Sequence, residues 1–151
     1  MLKITMKLPD RAEEVSLAGR TMTKDAPEIL LMQGSVRHVI QPEDLTMLRE
    51  SLTHVVIRDE LTGYLVDIIR ATRQHESVLV GAGPRATQAL MMACRAHAAI
   101  SERDFVTPDD IKIMAAPVLE HRLILRPEFE IEGLSVAEVI DQVLQQVAVP
   151  R

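Results

Sequence analysis

Gly81-Ala82-Gly83-Pro84-Arg85-Ala86 is the stretch on which the reading of this chain turns. Two glycines within three residues let the backbone turn tightly or approach a neighbour closely. Pro84 suits the first position of a helix, where a missing N–H removes no helical hydrogen bond. Leu90, Ala93, His97 and Ile100 then fall on one side of a helix that runs to about Ser101. Arg85 sits in the first turn, where a cation is unfavourable by roughly a few tenths of a kcal/mol. An anion held by the N–H groups of the helix start and by the guanidinium fork would account for that choice. The other reading is a plain Gly-Pro turn with a solvated arginine, because short Gly-rich turns are weak signals.

Helical periodicity dominates on both sides of this loop. Before it, Asp59 is read as the cap of a helix to about His75, with Leu61, Leu65, Ile68 and Ile69 on its buried face. Glu76–Gly83 reads as a loop that includes the apolar run Val78-Leu79-Val80. After it, Thr107-Pro108-Asp109-Asp110 combines a Thr cap, a Pro at the first position and an acid three residues after the cap. Ile111, Met114, Ala115 and Val118 follow at helical spacing, and Pro117 should kink or end that helix. Leu123-Ile124-Leu125 is a short extended candidate. Ser135 and Glu138 form a capping box for a last helix with Val139, Ile140, Val143 and Leu144 apolar.

Nearer the start, Leu2, Ile4 and Met6 alternate with polar residues, a strand pattern that stops at Pro9-Asp10. A polar helix to about Arg20 follows, then a linker over 21–35 with room for one helical turn. Val36–Ile40 and Val55-Val56-Ile57 read as extended. Between them, Pro42, Glu43 and Asp44 open a helix whose apolar face is Leu45, Leu48 and Leu52.

Composition narrows the function classes. Hydrophobic residues make up 47% of 151, enough for a sizeable core, but there is no Trp, one Tyr and two Phe. Aliphatic packing leans toward helices, and the stacking platforms of single-strand nucleic-acid binders are missing. Seventeen basic against 22 acidic side chains give a net charge of −5, a poor match to a nucleic-acid backbone. Cys94 is the single cysteine, so no intrachain disulfide forms, which fits a reducing compartment. No apolar run approaches the ~18 residues of a membrane span, and the first residues lack a signal-peptide core. These features read as a cytoplasmic protein with no membrane partner.

Catalytic and metal motifs are scarce. Lys3, Lys7, Lys24 and Lys112 are the four lysines, and none follows a glycine, so there is no phosphate-binding P-loop. Val55-Val56-Ile57-Arg58-Asp59-Glu60 imitates the strand-plus-acids pattern that holds magnesium, but Arg58 interrupts it. Among five histidines no pair has the i, i+4 spacing of a helical metal site. Cys94 and His97 are too few for zinc and read as core, so no metal ligand set is assigned. Arg70, Arg73, Arg95, Arg103 and Arg122 read as solvated or salt-bridged surface arginines. Arg73, at a helix end just before the glycine loop, is the most notable of them.

Four blocks occur in order: Ile68-Ile69-Arg70-Ala71-Thr72-Arg73, Gly81–Ala86, Asp104–Ile111, and Val118-Leu119-Glu120-His121-Arg122. Together they resemble the C-terminal part of MoxR-type AAA+ ATPases, closely over about residues 42–125. The resemblance implies a mainly α fold: an AAA+ helical lid of about four helices, with short extended segments and a leftover N-terminal strand. It divides the chain into 1–8, the last strand of an ATPase core; 9–41, a connecting helix and linker; 42–125, the lid; and 126–151, a C-terminal tail helix. Leu8 stands where the family's core usually ends in a Tyr. By the same match, Arg85 is the sensor 2 arginine that reaches the γ-phosphate of ATP, and Gly81, Gly83, Pro84 and Arg85 form its nucleotide-binding loop. Gly83 replaces the family's usual Ser.

The resemblance further implies ATP and Mg2+ as ligands of the intact protein, none of them tightly bound by this chain alone. The chain by itself is expected to be an inactive fragment of an ATPase. Implied partners are its own AAA+ core, neighbouring subunits of a hexameric ring and von Willebrand factor A-domain proteins. Chaperone-like remodelling or cofactor insertion is the implied work. The principal rival is a helical adaptor with no nucleotide role, docking a protein through the helix of Met91 and Met92. A helix-turn-helix DNA binder is a second rival that the acidic charge opposes.

Overall fold

The computed structural model describes residues 2–35, 37 and 39–150, and these fall into two units: the described part of 5–47, and 2–4 together with 48–150.

In the first unit, α1 (Arg11–Thr21) starts at a reciprocal capping box. The Glu13 N–H donates to Asp10 (2.8 Å) and the Asp10 N–H donates to Glu13 (2.9 Å). α2 (Pro27–Met32) is the helical turn allowed for in the linker, with Pro27 in its first turn. Neither helix buries a side chain, and Ala26 is the one buried residue described in this unit. The extended run read at 36–40 includes Val36 and His38, which lie outside the described residues. α3 (Pro42–Ser51) leads into the second unit, and its expected packing residues Leu45 and Leu48 stay exposed.

The second unit carries the core. A 3-10 turn, Leu52–His54, precedes α4 (Asp59–Gln74). Asp59 is the first helical residue and not the cap, a role that falls to Arg58 without a side-chain bond. β1 (Val78–Val80) follows, then α5 (Pro84–Ile100), α6 (Pro108–Leu119), β2 (Ile124–Leu125), α7 (Pro127–Ile131) and α8 (Val136–Gln146). α4, α5, α6 and α8 pack around one aliphatic centre that includes Leu65, Ile68, Leu90, Ile111, Val118 and Ile140. α8, expected as part of a tail, supplies Ile140 and Val143 to this same core. Reciprocal capping boxes start α6 at Thr107/Asp110 and α8 at Ser135/Glu138.

Several expectations change. Val78-Leu79-Val80 is a strand and not a loop: β1 pairs antiparallel with β2, Val78 opposite Leu125 and Val80 opposite Ile124. This pairing covers Val78 and Leu125 in a small second core with Val139. Val56 forms a parallel bridge to Phe105, so the 55–57 run is extended as expected. Ile100, assigned to the packed side of α5, is the last residue of that helix and is exposed. Pro117 lies within α6, which ends two residues later. Leu2–Met6 forms no strand among the described residues. Instead the Lys3 N–H donates to the Pro117 carbonyl (2.7 Å), and its ammonium pairs with Glu120 (2.7 Å).

Candidate functional site

The loop before α5 is held by α4. Gly81 lies so close to the last turn of α4 that an added Cβ would sit 2.6 Å from Arg73 Cγ and 2.7 Å from its Cα. Only a residue without a side chain fits against that backbone. One residue on, the Ala82 N–H donates to Thr72 Oγ1 (3.1 Å), and this hydroxyl donates in turn to the Ile69 carbonyl (2.7 Å). Thr72 is fully buried, so both of its bonds form away from water. The loop therefore enters α5 at a position set by α4, and Arg85 leaves from the first turn of a helix with a fixed start.

Gly83 is a different kind of glycine. It is the N-cap of α5 with φ −92° and ψ 179°, ordinary extended backbone, and a Cβ there would meet nothing within 4 Å. No side chain caps α5, so the positive end of its dipole faces outward unmodified. Pro84 fills the first helical position as expected.

Arg85 is exposed and lines an open groove of about 690 Å³. Its wall runs along one side of α5 through Gln88, Met92 and Ala96, with Leu52 beside it. Two other arginines line the same groove, Arg49 from α3 and Arg122 from the turn after α6, and no carboxylate does. Among the described residues none of the three arginines takes part in an ion pair. Arg122 donates from Nε to the Val118 carbonyl (2.9 Å), which holds its stem at the end of α6. Partial desolvation, with the charges of Arg122 and Lys3, pulls the neighbouring His121 imidazole below its ordinary pKa. The rest of the lining is largely apolar, with Leu2, Leu52, Ala89 and Ala93 beside Met92 and Ala96, and it offers no carboxylate to magnesium.

A second polar cluster joins α5 to α6. Asp110 is 1% exposed and accepts both ends of the Arg103 fork (2.8 and 2.6 Å), with bonds from Thr107 N (2.7 Å), Thr107 Oγ1 (2.8 Å) and His97 Nδ1 (2.8 Å). The Arg103 bonds, joined by those of Thr107 and His97, hold its carboxyl well below the usual carboxylate range despite burial. His97, read as core, is only partly buried because its ring reaches out to this carboxylate. Cys94 is fully buried, and burial with the nearby Asp110 charge pushes its thiol up to about 12.

The structure thus sets Gly81 against Arg73 and places Arg85, Arg49 and Arg122 along one open groove. It leaves Arg73 outside the groove. Thr72 lies in the first of the four ordered blocks, but the motif reading gave it no role. Its position after Leu65, Ile68 and Ile69 on the buried face of α4 is the signal that marks it. Met91 is half-buried against the core and Met92 is exposed, which leaves the α5 surface with one exposed methionine of the two.

The AAA lid domain family matches residues 70–146, a span that contains the loop, α5, α6 and α8. The chain belongs to this family. The lid is 34% identical over 150 residues to the uncharacterized protein YeaC of Bacillus subtilis, covering 99% of this chain and 45% of that one. It is 30% identical over 146 residues to the chaperone MoxR1 of Mycobacterium tuberculosis, covering 88% and 39%. The crystal structure of a candidate ATPase from Cytophaga hutchinsonii superposes with a TM-score of 0.83 at 28% identity, over 100% of this chain and 47% of that one. The lid is of the MoxR type and spans less than half the length of each of these proteins. No described helix is long and apolar enough to cross a membrane.

Proposed function

We propose that this lid senses nucleotide in a MoxR-like AAA+ ATPase, with Arg85 as the sensor 2 residue. The observation that carries the reading is the placement of Arg85. It leaves an uncapped helix start whose entry loop is locked to α4, and it lines an open, largely apolar groove whose charged residues are arginines and no carboxylate. A guanidinium so placed meets the charge that develops on the transferred phosphoryl oxygens without first reorganising its own support. Gly81 supplies the close approach and Pro84 the helix start. Gly83 leaves the amide end of α5 open to the anion. Magnesium would be held by groups outside this chain, since the groove presents none of its ligands. In the intact protein ATP would lie between the AAA+ core and this lid within a ring of subunits. Remodelling of protein partners, von Willebrand factor A-domain proteins among them, is the work that such a motor performs.

The test adds a MoxR-type AAA+ core as a separate chain and measures ATP binding and turnover with and without Arg85→Ala. Activity that appears on mixing and drops at least about tenfold in the variant supports the reading, the loss expected for one charge-assisted contact to phosphate. Unchanged binding and turnover, with assembly demonstrated, sinks it. The adaptor reading through the exposed Met92 would then take its place.

A further inference from the structure

Gly83, Pro84 and Arg85 are exposed, yet they hang between two buried alanines, Ala82 and Ala86. Each alanine packs into the main core through a single methyl group, which fixes how deep the loop sits and not how it is turned. Direction comes from a hydrogen bond, which has a preferred angle. The Ala82 N–H donates to Thr72 Oγ1 (3.1 Å), ten residues back on α4. The hydroxyl proton of Thr72 goes to the Ile69 carbonyl (2.7 Å), so the oxygen is left with its lone pairs for the loop. Thr72 stands on the buried face of α4 with Leu65, Ile68 and Ile69, where an apolar residue is the ordinary choice. Valine has the same shape and would spare the helix a buried hydroxyl. What the hydroxyl adds there is the bond to the loop. Gly81 closes the other side, with no room for a side chain between it and Arg73.

We propose that Thr72 is a positioning residue for Arg85: its hydroxyl fixes the turn of the loop, and with it the direction in which the guanidinium leaves α5. The inference rests on the sensor 2 reading of Arg85, and it gives Thr72 a part in turnover that its share in folding does not require. Fully buried, Thr72 cannot reach a nucleotide and acts through Arg85. A guanidinium whose support is fixed beforehand meets transition-state charge without reorganising, and a displacement of about 1 Å at such a group costs up to about a hundredfold in rate. The loss should fall on turnover and leave ground-state binding nearly intact, because a misaimed arginine still attracts the anion.

The experiment takes the 151-residue chain with the added AAA+ core and measures kcat and KM for ATP, well below the unfolding midpoint. Thr72→Val should lower kcat by about tenfold and change KM by less than about twofold, and Thr72→Ser should recover most of the loss. In the Arg85→Ala background, Thr72→Val should lower kcat by less than about twofold further, because the group it aims is gone. Ile140→Val, a core substitution in α8 with a comparable effect on stability, should leave kcat unchanged. If Thr72→Val costs the same factor in both backgrounds, the hydroxyl supports the fold alone and the positioning role is wrong. If Thr72→Val keeps the native kcat while Arg85→Ala lowers it, the positioning role is wrong and the sensing-lid reading stands. If Arg85→Ala changes nothing in a demonstrated assembly, the sensing-lid reading fails and the role of Thr72 falls with it.

Discussion

Asp110 shows how much one carboxylate can carry at the scale of a residue. It sits almost out of water and accepts five hydrogen bonds from Arg103, Thr107 and His97. Asp110→Asn keeps the shape but leaves the Arg103 guanidinium without its counter-charge, and should cost about 3 kcal/mol in urea unfolding. Folding lowers this carboxyl's pKa, so its contribution is complete above the unfolded value near 3.8 and drains as pH falls from there. The stability gap between native chain and variant should therefore be constant near neutrality and narrow below about pH 4. A gap independent of pH would show that the Arg103 pair does not hold the fold. The two loop glycines make an opposed pair of predictions. Gly81→Ala drives a methyl group into the Arg73 backbone and should destabilise by about 2 kcal/mol. Gly83→Ser enters open space at an extended N-cap and should stabilise by about 0.5 kcal/mol through a new cap and a stiffer unfolded chain. Thermal unfolding of the two variants should shift in opposite directions.

Among elements, the junction of α4 with α5 matters most, because it sets where Arg85 begins. The Thr72 hydroxyl is the acceptor for the Ala82 N–H, and no water can replace it in that buried position. Thr72→Val keeps the volume and removes the acceptor. It should cost about 1–2 kcal/mol and speed exchange of the Ala82 amide by about tenfold, whereas Thr72→Ser retains most of both. An Ala82 amide as slow in Thr72→Val as in the native chain would remove Thr72 from the device. The elements themselves were legible wherever the cause was local. The faces of α4 and α8 follow from apolar spacing, and the starts of α6 and α8 follow from cap residues three positions apart. β1 and β2 were harder because a three-residue apolar run looks the same in a loop, and its partner lies more than 40 residues away. Arg85 and Gly81 stood out in the sequence as a motif. The groove did not, since its lining comes from separate elements: Arg122 read singly as a solvated surface charge, and Arg49 drew no reading at all.

For the whole molecule, the uneven distribution of buried residues predicts uneven stability. Every buried side chain described, apart from Ala26, lies between Val55 and Val143, while α1, α2 and α3 bury none. Helices of 6 to 11 residues are marginal in water without tertiary packing. Amide exchange should therefore show α4, α5, α6 and α8 opening only with global unfolding, and α1 and α2 opening at a free-energy cost of about 0–2 kcal/mol. Deleting residues 1–41 should leave one cooperative transition. Two named contacts are lost, from Lys3 to the Pro117 carbonyl and to Glu120, and the ion pair is partly exposed. A midpoint lower by no more than about 5 °C is the expected result, since an exposed pair contributes at most about 1 kcal/mol. If the deletion abolishes the transition, residues 1–41 support the fold in a way their exposure does not reveal. If it does not, residues 42–151 fold on their own, and Arg85 can then be studied in a chain of that length, with its entry loop still held to α4 by Thr72 and Gly81.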